Sequence, residues 1–170
     1  VPTSSDILVT LSSAGVTSTG SKGLKRGILK QMTRSKTPQQ IREAKRKRAV
    51  TMAKKIARLQ AKYRCAYCGR GEPLYRTHGS HIFAESKNKN MSADVDNILC
   101  LCASHHAVMP GRTPPKEFNW HSYPAESITW FQDNYPSLWQ ALKERRWKKY
   151  KVNWDKKIEE LKITLKQLEV

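Results

Sequence analysis

Two short metal-ligand pairs constrain this chain more than anything else in it: Cys65-Ala66-Tyr67-Cys68, and further on Cys102-Ala103-Ser104-His105. Four such donors close a tetrahedral zinc site of Cys3His type, with about 2.3 Å to each sulfur and about 2.0 Å to the nitrogen. The four cysteines could instead form two disulfides, but pairs this closely spaced, in a chain without a secretory signal, favour a metal. Cys100 competes for a place in the set. On a strand its thiol would project to the same face as that of Cys102, so spacing alone does not separate them. A clip of this kind matters physically, because a stretch of about 45 residues buries too little apolar area to hold a fixed constellation of side chains without one.

Charge narrows the class of partner. The 170 residues include 32 Lys and Arg against 14 Asp and Glu, a formal net charge of +18, and such an excess calls for a polyanion. The excess is uneven: residues 22–64 hold sixteen basic residues and one acid, Glu43, whereas residues 65–125 hold six basic and five acidic residues. The expected organisation is a flexible arm over 1–21, a basic helical docking arm over 22–64, a zinc-bound core over 65–125 and a helical extension over 126–170. Charge alone leaves DNA and RNA both open. No run of about 18 apolar residues is present, which excludes a spanning helix. The first residues lack the pattern of a secretory leader, so a cytoplasmic location is expected.

Local patterns place the elements. Thr37-Pro38-Gln39-Gln40 predicts a helix start, with Thr37 as cap, Pro38 at the first helical position and Gln40 completing a capping box. Ala49, Met52, Ile56, Leu59 and Tyr63 then form an apolar stripe. Lys45, Arg46, Lys47, Arg48, Lys54, Lys55, Arg58 and Lys62 cover the rest of that helix. Solvated faces usually mix signs, so this one is expected to track a nucleic-acid backbone. Gly69-Arg70-Gly71 signals a turn, 74–83 a strand delivering His81, 84–96 a loop, and 98–101 a second strand. A helix from about Ala103 closes at Pro110-Gly111. This β-β-α order would gather His81, Asn97 and His106 around one cleft.

Beyond it, Pro110, Pro114, Pro115 and Pro124 punctuate the chain, and His121 reads as a surface or packing histidine. Pro136-Ser137 opens a helix, with Ser137 and Gln140 as a capping box. Trp147, in a basic run, could stack on bases or pack inward. Ile158, Leu161, Leu165 and Leu168 line a last helix that could dock on the body or on a partner helix.

The order of residues carries a resemblance. From Asn97 the run Asn-Ile-Leu-Cys-Leu-Cys-Ala-Ser-His-His resembles the HNH (His-Me finger, ββα-metal) endonuclease pattern, with His105 in place of its last cysteine. Gly79-Ser80-His81-Ile82-Phe83 is similar to the first-histidine motif of that family, particularly in NinG-like phage recombination endonucleases. The match spans residues 65 to about 110.

The resemblance implies an α+β fold, a small zinc-stapled ββα-metal core with flanking basic helices. It implies a metal-dependent DNA endonuclease that leaves 5′-phosphate and 3′-hydroxyl ends in phage recombination, processing or packaging. Cys65, Cys68, Cys102 and His105 would hold structural Zn2+, with Cys100 in a packing position. His81 would be the general base, a role that a neutral imidazole fills at physiological pH. Asn97 would orient that base, and His106 would bind a catalytic Mg2+ or Mn2+.

Ser80 departs from the family, where an aspartate or histidine supplies a hard ligand. Asn97 and Ser80 would then lend oxygens to the cation, or His78 would substitute. The partners implied are DNA, contacted through its backbone and including branched or nicked forms, phage recombination or packaging proteins, and a second copy in a homodimer. Ser80 also keeps open a rival class, a catalytically weak or inactive zinc-containing nucleic-acid-binding module.

Overall fold

Thr37 opens the longest helix as its sequence dictates. In the computed structural model, which describes residues 35–107, 117–148 and 150–169, helix α1 spans Pro38–Gln60. Thr37 Oγ1 accepts the Gln40 N–H at 3.2 Å, and the Gln40 side chain accepts the Thr37 N–H at 2.9 Å. The arm expected over 1–21, residues 22–34 and the expected stop at Pro110-Gly111 lie outside the described residues.

At its far end the Tyr63 N–H reaches the Arg58 carbonyl and the Lys62 N–H reaches that of Leu59, each at 2.8 Å. This is the paired closure usually made with glycine in the left-handed region. Here Lys62 and Tyr63 take it, at φ 49° and 53°. The chain is thereby reversed directly into Cys65.

The buried face of α1 is not the stripe expected. It consists of Arg46, Ala49, Val50, Ala53, Ile56 and Ala57, while Met52 and Leu59 are only half-buried. The alanines let neighbours approach closely, and α5 (Trp154–Leu168) lies against them with Trp154, Ile158 and Leu161 buried. The last apolar stripe therefore docks on the body.

Strands β1 (Thr77–His81) and β2 (Ile98–Cys102) pair antiparallel as a two-stranded sheet, with His81 opposite Ile98 and Thr77 opposite Cys102. β1 is shorter than the expected 74–83, and Leu74 before it is 86% exposed. Ile98 joins the cluster between α1 and α5, whereas Leu99 and Leu101 enter a second core with Phe118, Phe131 and Leu142. Gly79 is what lets α1 lie on the hairpin, because a Cβ there would stand 2.9 Å from the Lys54 side chain.

The loop between the strands winds into two single 3-10 turns, Lys89–Met91 and Val95–Asn97. After β2 come α2 (Ala103–His106), α3 (Pro124–Asn134) and α4 (Pro136–Trp147). Pro124 opens a helix rather than punctuating a loop. The capping box expected at Ser137 and Gln140 does not form, because Tyr135 occupies the cap position and no side chain caps α4.

The architecture is α+β, as expected, with five α-helices among the described residues. Residues from Ser35 onward form one compact unit. Among the described residues no helix is long and apolar enough to cross a membrane.

Candidate metal centre and histidine cleft

The turn after α1 brings the first ligand pair around. Cys65 donates its N–H to Arg70 O and accepts the Gly69 N–H on its carbonyl, each at 2.8 Å. Gly69 sits at φ +70°, and Gly71 passes so close to the Tyr63 carbonyl that a Cβ would meet it at 2.1 Å. The second pair comes from the junction of β2 and α2, where Cys102 leaves the strand and caps the helix that carries His105. The Ala66 N–H bonds Cys100 O at 2.8 Å and ties the two pairs together.

The ligand atoms of Cys65, Cys68, Cys102 and His105 all lie within 4.8 Å of one another. Cys102 Sγ is 3.2 Å and Cys65 Sγ 3.6 Å from His105 Nδ1, and Cys68 Sγ is 3.9 Å from Cys102 Sγ. Tetrahedral zinc bonds imply donor-to-donor edges of roughly 3.5 to 3.8 Å, so the cluster fits the ion.

Its electrostatics point the same way. Burial pushes the Cys65 thiol up. Cys102 is also pushed up by burial, but the Ser104 hydroxyl, the His105 amide and its two cysteine neighbours outweigh that and leave it below its ordinary value. Burial lowers His105 and keeps it neutral. Three thiols gathered on a neutral imidazole suit a dication, which supplies the charge that their deprotonation requires. Cys100 stands outside the set: its thiol lies by the Thr77 hydroxyl. Tyr67 stacks on Phe118, with centroids 4.2 Å apart, and edges onto His105, so aromatic packing shields the cluster.

Four of the five histidines remain, and all four line one continuous pair of clefts along β1. His81, His106 and His121 face a cavity of about 920 Å³, and His78 and His106 face its neighbour; Lys54 and Gly79 border both. His106 Nδ1 lies 3.0 Å from His78 Nδ1, and its Nε2 lies 3.3 Å from His121 Nε2. Burial, followed by His121 and His78, lowers His106 to about 4. His81, at the end of β1, places Nε2 2.8 Å from the Ser92 carbonyl. A carbonyl only accepts, so Nε2 carries the proton and Nδ1 keeps the lone pair, 3.8 Å from Glu85 Oε2. Burial holds the His81 pKa below its ordinary value, which leaves the ring neutral at physiological pH.

No family model, curated protein or solved structure matches the chain. What the site can do therefore rests on its own residues.

Two of the expected cation ligands are placed elsewhere. Asn97 is fully buried and holds the loop: its Oδ1 accepts the Phe83 N–H at 2.8 Å, and its Nδ2 donates to Phe83 O and Met91 O at 3.2 and 3.3 Å. Its amide is committed to backbone. Ser80 is 1% exposed, and its Oγ has no partner among the described residues. Neither lines the cleft.

The cations of α1 and its closing turn also divide. Arg46 forks onto Glu43 and reaches Glu85 at 2.7 Å, Lys45 pairs with Asp155, Lys55 with Glu169, and Arg58 with Glu72. Lys54 is 4.0 Å from Glu85 and borders the clefts. Lys47, Arg48 and Lys62 are exposed.

The residue that sequence reasoning missed is His121. Asn119, fully buried, donates to Ser104 O at 2.7 Å and accepts the N–H groups of His121 and Ser122. The Trp120 N–H bonds His105 O, and its indole donates to His81 O at 2.9 Å. Two consecutive residues thus fasten this loop to α2 and β1, with His121 beside His106. The chain around 121 has no periodicity that could have signalled it.

Proposed function

We propose that this protein is a metal-dependent DNA endonuclease of HNH type, built on a zinc-stapled ββα-metal core. The observation that carries the reading is the convergence of His81, His106 and His121 with Lys54 on one open cleft, beside a Cys3His cluster that ties the turn after α1 to the junction of β2 and α2. Zinc, when bound there, supplies folding free energy rather than chemistry.

His81 is the base: Nδ1 takes a proton from water, the hydroxide attacks phosphorus, and the bond to the 3′ oxygen breaks, that oxygen taking a proton from solvent, to leave 5′-phosphate and 3′-hydroxyl ends. Ser92 fixes the tautomer, and Asn97 acts through the loop that carries Ser92 rather than on substrate. Lys54 and Lys89 border the cleft and attract the phosphate.

The donors around the cleft do not fit the expected Mg2+ or Mn2+. They are imidazole nitrogens, which suit zinc, copper and nickel, whereas Mg2+ takes carboxylate oxygens. The carboxylates that line the two clefts, Glu85 and Glu72, are paired with Arg46 and Arg58.

That mismatch, together with the buried Ser80, favours a second reading, a zinc module that binds nucleic acid with weak or no cleavage. Nicking of supercoiled plasmid by the zinc-loaded full chain, with Mg2+, Mn2+ or Co2+ added, separates the two. Replacing His81 by Ala should lower nicking by about 10²- to 10⁴-fold. Equal cleavage by both proteins removes the base assignment. DNA binding without cleavage under any cation selects the binding module. Phage recombination or packaging roles, branched or nicked DNA and a homodimer belong to this proposal as further arms of the same assay.

A further inference from the structure

Among the described residues His106 alone borders both clefts with a titratable ring, and each of its nitrogens meets another imidazole. One ion cannot use both nitrogens of one ring, so the two contacts must have different roles. On the His78 side the two Nδ1 atoms stand 3.0 Å apart, the length of a hydrogen bond, so one of them carries a proton. If that proton is on His106, its Nε2 holds a lone pair aimed at His121 Nε2, 3.3 Å away. Two nitrogens that close are near the roughly 3.3 Å edge of a tetrahedral ion with bonds of about 2.0 Å to each.

We infer that His106 Nε2 and His121 Nε2 form a two-imidazole site for a borderline transition-metal dication such as Zn2+, Co2+ or Ni2+, with His78 as the positioning residue that fixes the His106 tautomer. This deepens the nuclease reading, on which it rests for the identity of the cleft, and replaces the Mg2+ expected there. The loop is built for it. Asn119 and Trp120 make six hydrogen bonds within their own loop and to α2 and β1, and these hold the backbone that presents His121 beside His106. The His78 contact is the usual outer partner of a metal-bound histidine, one that orients the ring and fixes which nitrogen is free. Water and a substrate phosphate would complete the shell, so serine at position 80 is no defect for this ion.

The test is a Co2+ titration of the full chain already loaded with one zinc at the Cys3His cluster, in the absence of DNA, followed by calorimetry and visible absorption. One Co2+ per chain should bind with d–d bands and no thiolate charge-transfer band. His121→Ala should abolish this binding and retain the first zinc. His78→Ala should weaken it about 10- to 100-fold, and His78→Asn, whose Oδ1 replaces the Nδ1 acceptor, should recover most of the loss, a rescue that a merely structural role of His78 would not give.

Several results overturn the inference. Wild-type protein could bind no Co2+, as a plain hydrogen bond between His121 and His106 would have it. His121→Ala could bind Co2+ unchanged, or Mg2+ could bind as tightly as Co2+. The two readings fail separately. Co2+ binding lost in His121→Ala, in a chain that never nicks DNA, supports the site and removes the nuclease. Mg2+-dependent nicking that His121→Ala leaves unchanged, in a chain that binds no Co2+, keeps the nuclease and removes the site.

Discussion

One carboxylate oxygen joins three parts of the site's frame. Glu72 Oε1 accepts from Arg58 Nη2 at 2.7 Å, from Thr77 Oγ1 at 2.8 Å and from the Thr77 N–H at 3.2 Å, linking the end of α1 to the first residue of β1. The Thr77 hydroxyl, then its amide and the Arg58 guanidinium hold the Glu72 carboxyl below its ordinary value of 4.5. A carboxyl lowered in the fold stabilises it fully above the unfolded value, and that stabilisation disappears as pH falls through the folded one. Glu72→Gln should therefore be less stable than wild type at neutral pH, with the gap closing below pH 4.5. Urea denaturation in pH steps measures it, and a gap that widens in acid reverses the sign. At this scale the sequence was legible where chemistry is local. The cysteine and histidine spacing marks the metal cluster because two ligands fit on each turn. It did not mark Glu72, Asn119 or His121, whose partners lie far along the chain, and it assigned Asn97 and Ser80 to a cation because a string of residues does not say which side chains are buried.

Helix α1 shows how an element can be foreseen and its packing face missed. Its start was readable because a cap, a proline and a glutamine act within one turn. Its buried face was not, because alanines carry little hydrophobic signal and become core only when another helix comes close. Ile56 is fully buried there, among Ala53, Ala57 and the α5 residues Ile158 and Leu161. Removing its side chain leaves a cavity that neighbouring alanines cannot collapse into, so Ile56→Ala should cost about 2 to 5 kcal/mol. The expected result is a lower urea midpoint with an unchanged slope, and a loss under about 1 kcal/mol would mean that α5 does not hold this face. Met52→Ala, at a half-buried position, serves as the comparison and should lose less.

Across the whole molecule the question is where the excess charge acts. A run of sixteen cations with one acid reads as a uniform docking surface, but five of the eight cations singled out on α1 and the turn that closes it are paired with carboxylates in the fold. Four of those five pair only with acids remote in sequence: Asp155, Glu85, Glu169 and Glu72. Arg46 adds the remote Glu85 to its neighbour Glu43. Charge balance made by tertiary contact is invisible to a one-dimensional count.

Phosphate contacts are therefore expected from the exposed Lys47, Arg48 and Lys62, which have no ion pair among the described residues. Each phosphate neutralised on duplex DNA contributes about 0.9 to the fall of log K with log salt concentration. Replacing all three by alanine should flatten that slope by up to about 2.7 if each contacts a phosphate, with the change nearly the same on any sequence. Arg46→Ala should leave the slope unchanged, and it should destabilise the fold, because it strands Glu43 and Glu85. Fluorescence titrations of a short duplex across a salt series read both variants. An unaltered slope in the triple variant moves the docking surface off α1, and a flattened slope in Arg46→Ala means that its carboxylate pairs open when DNA binds.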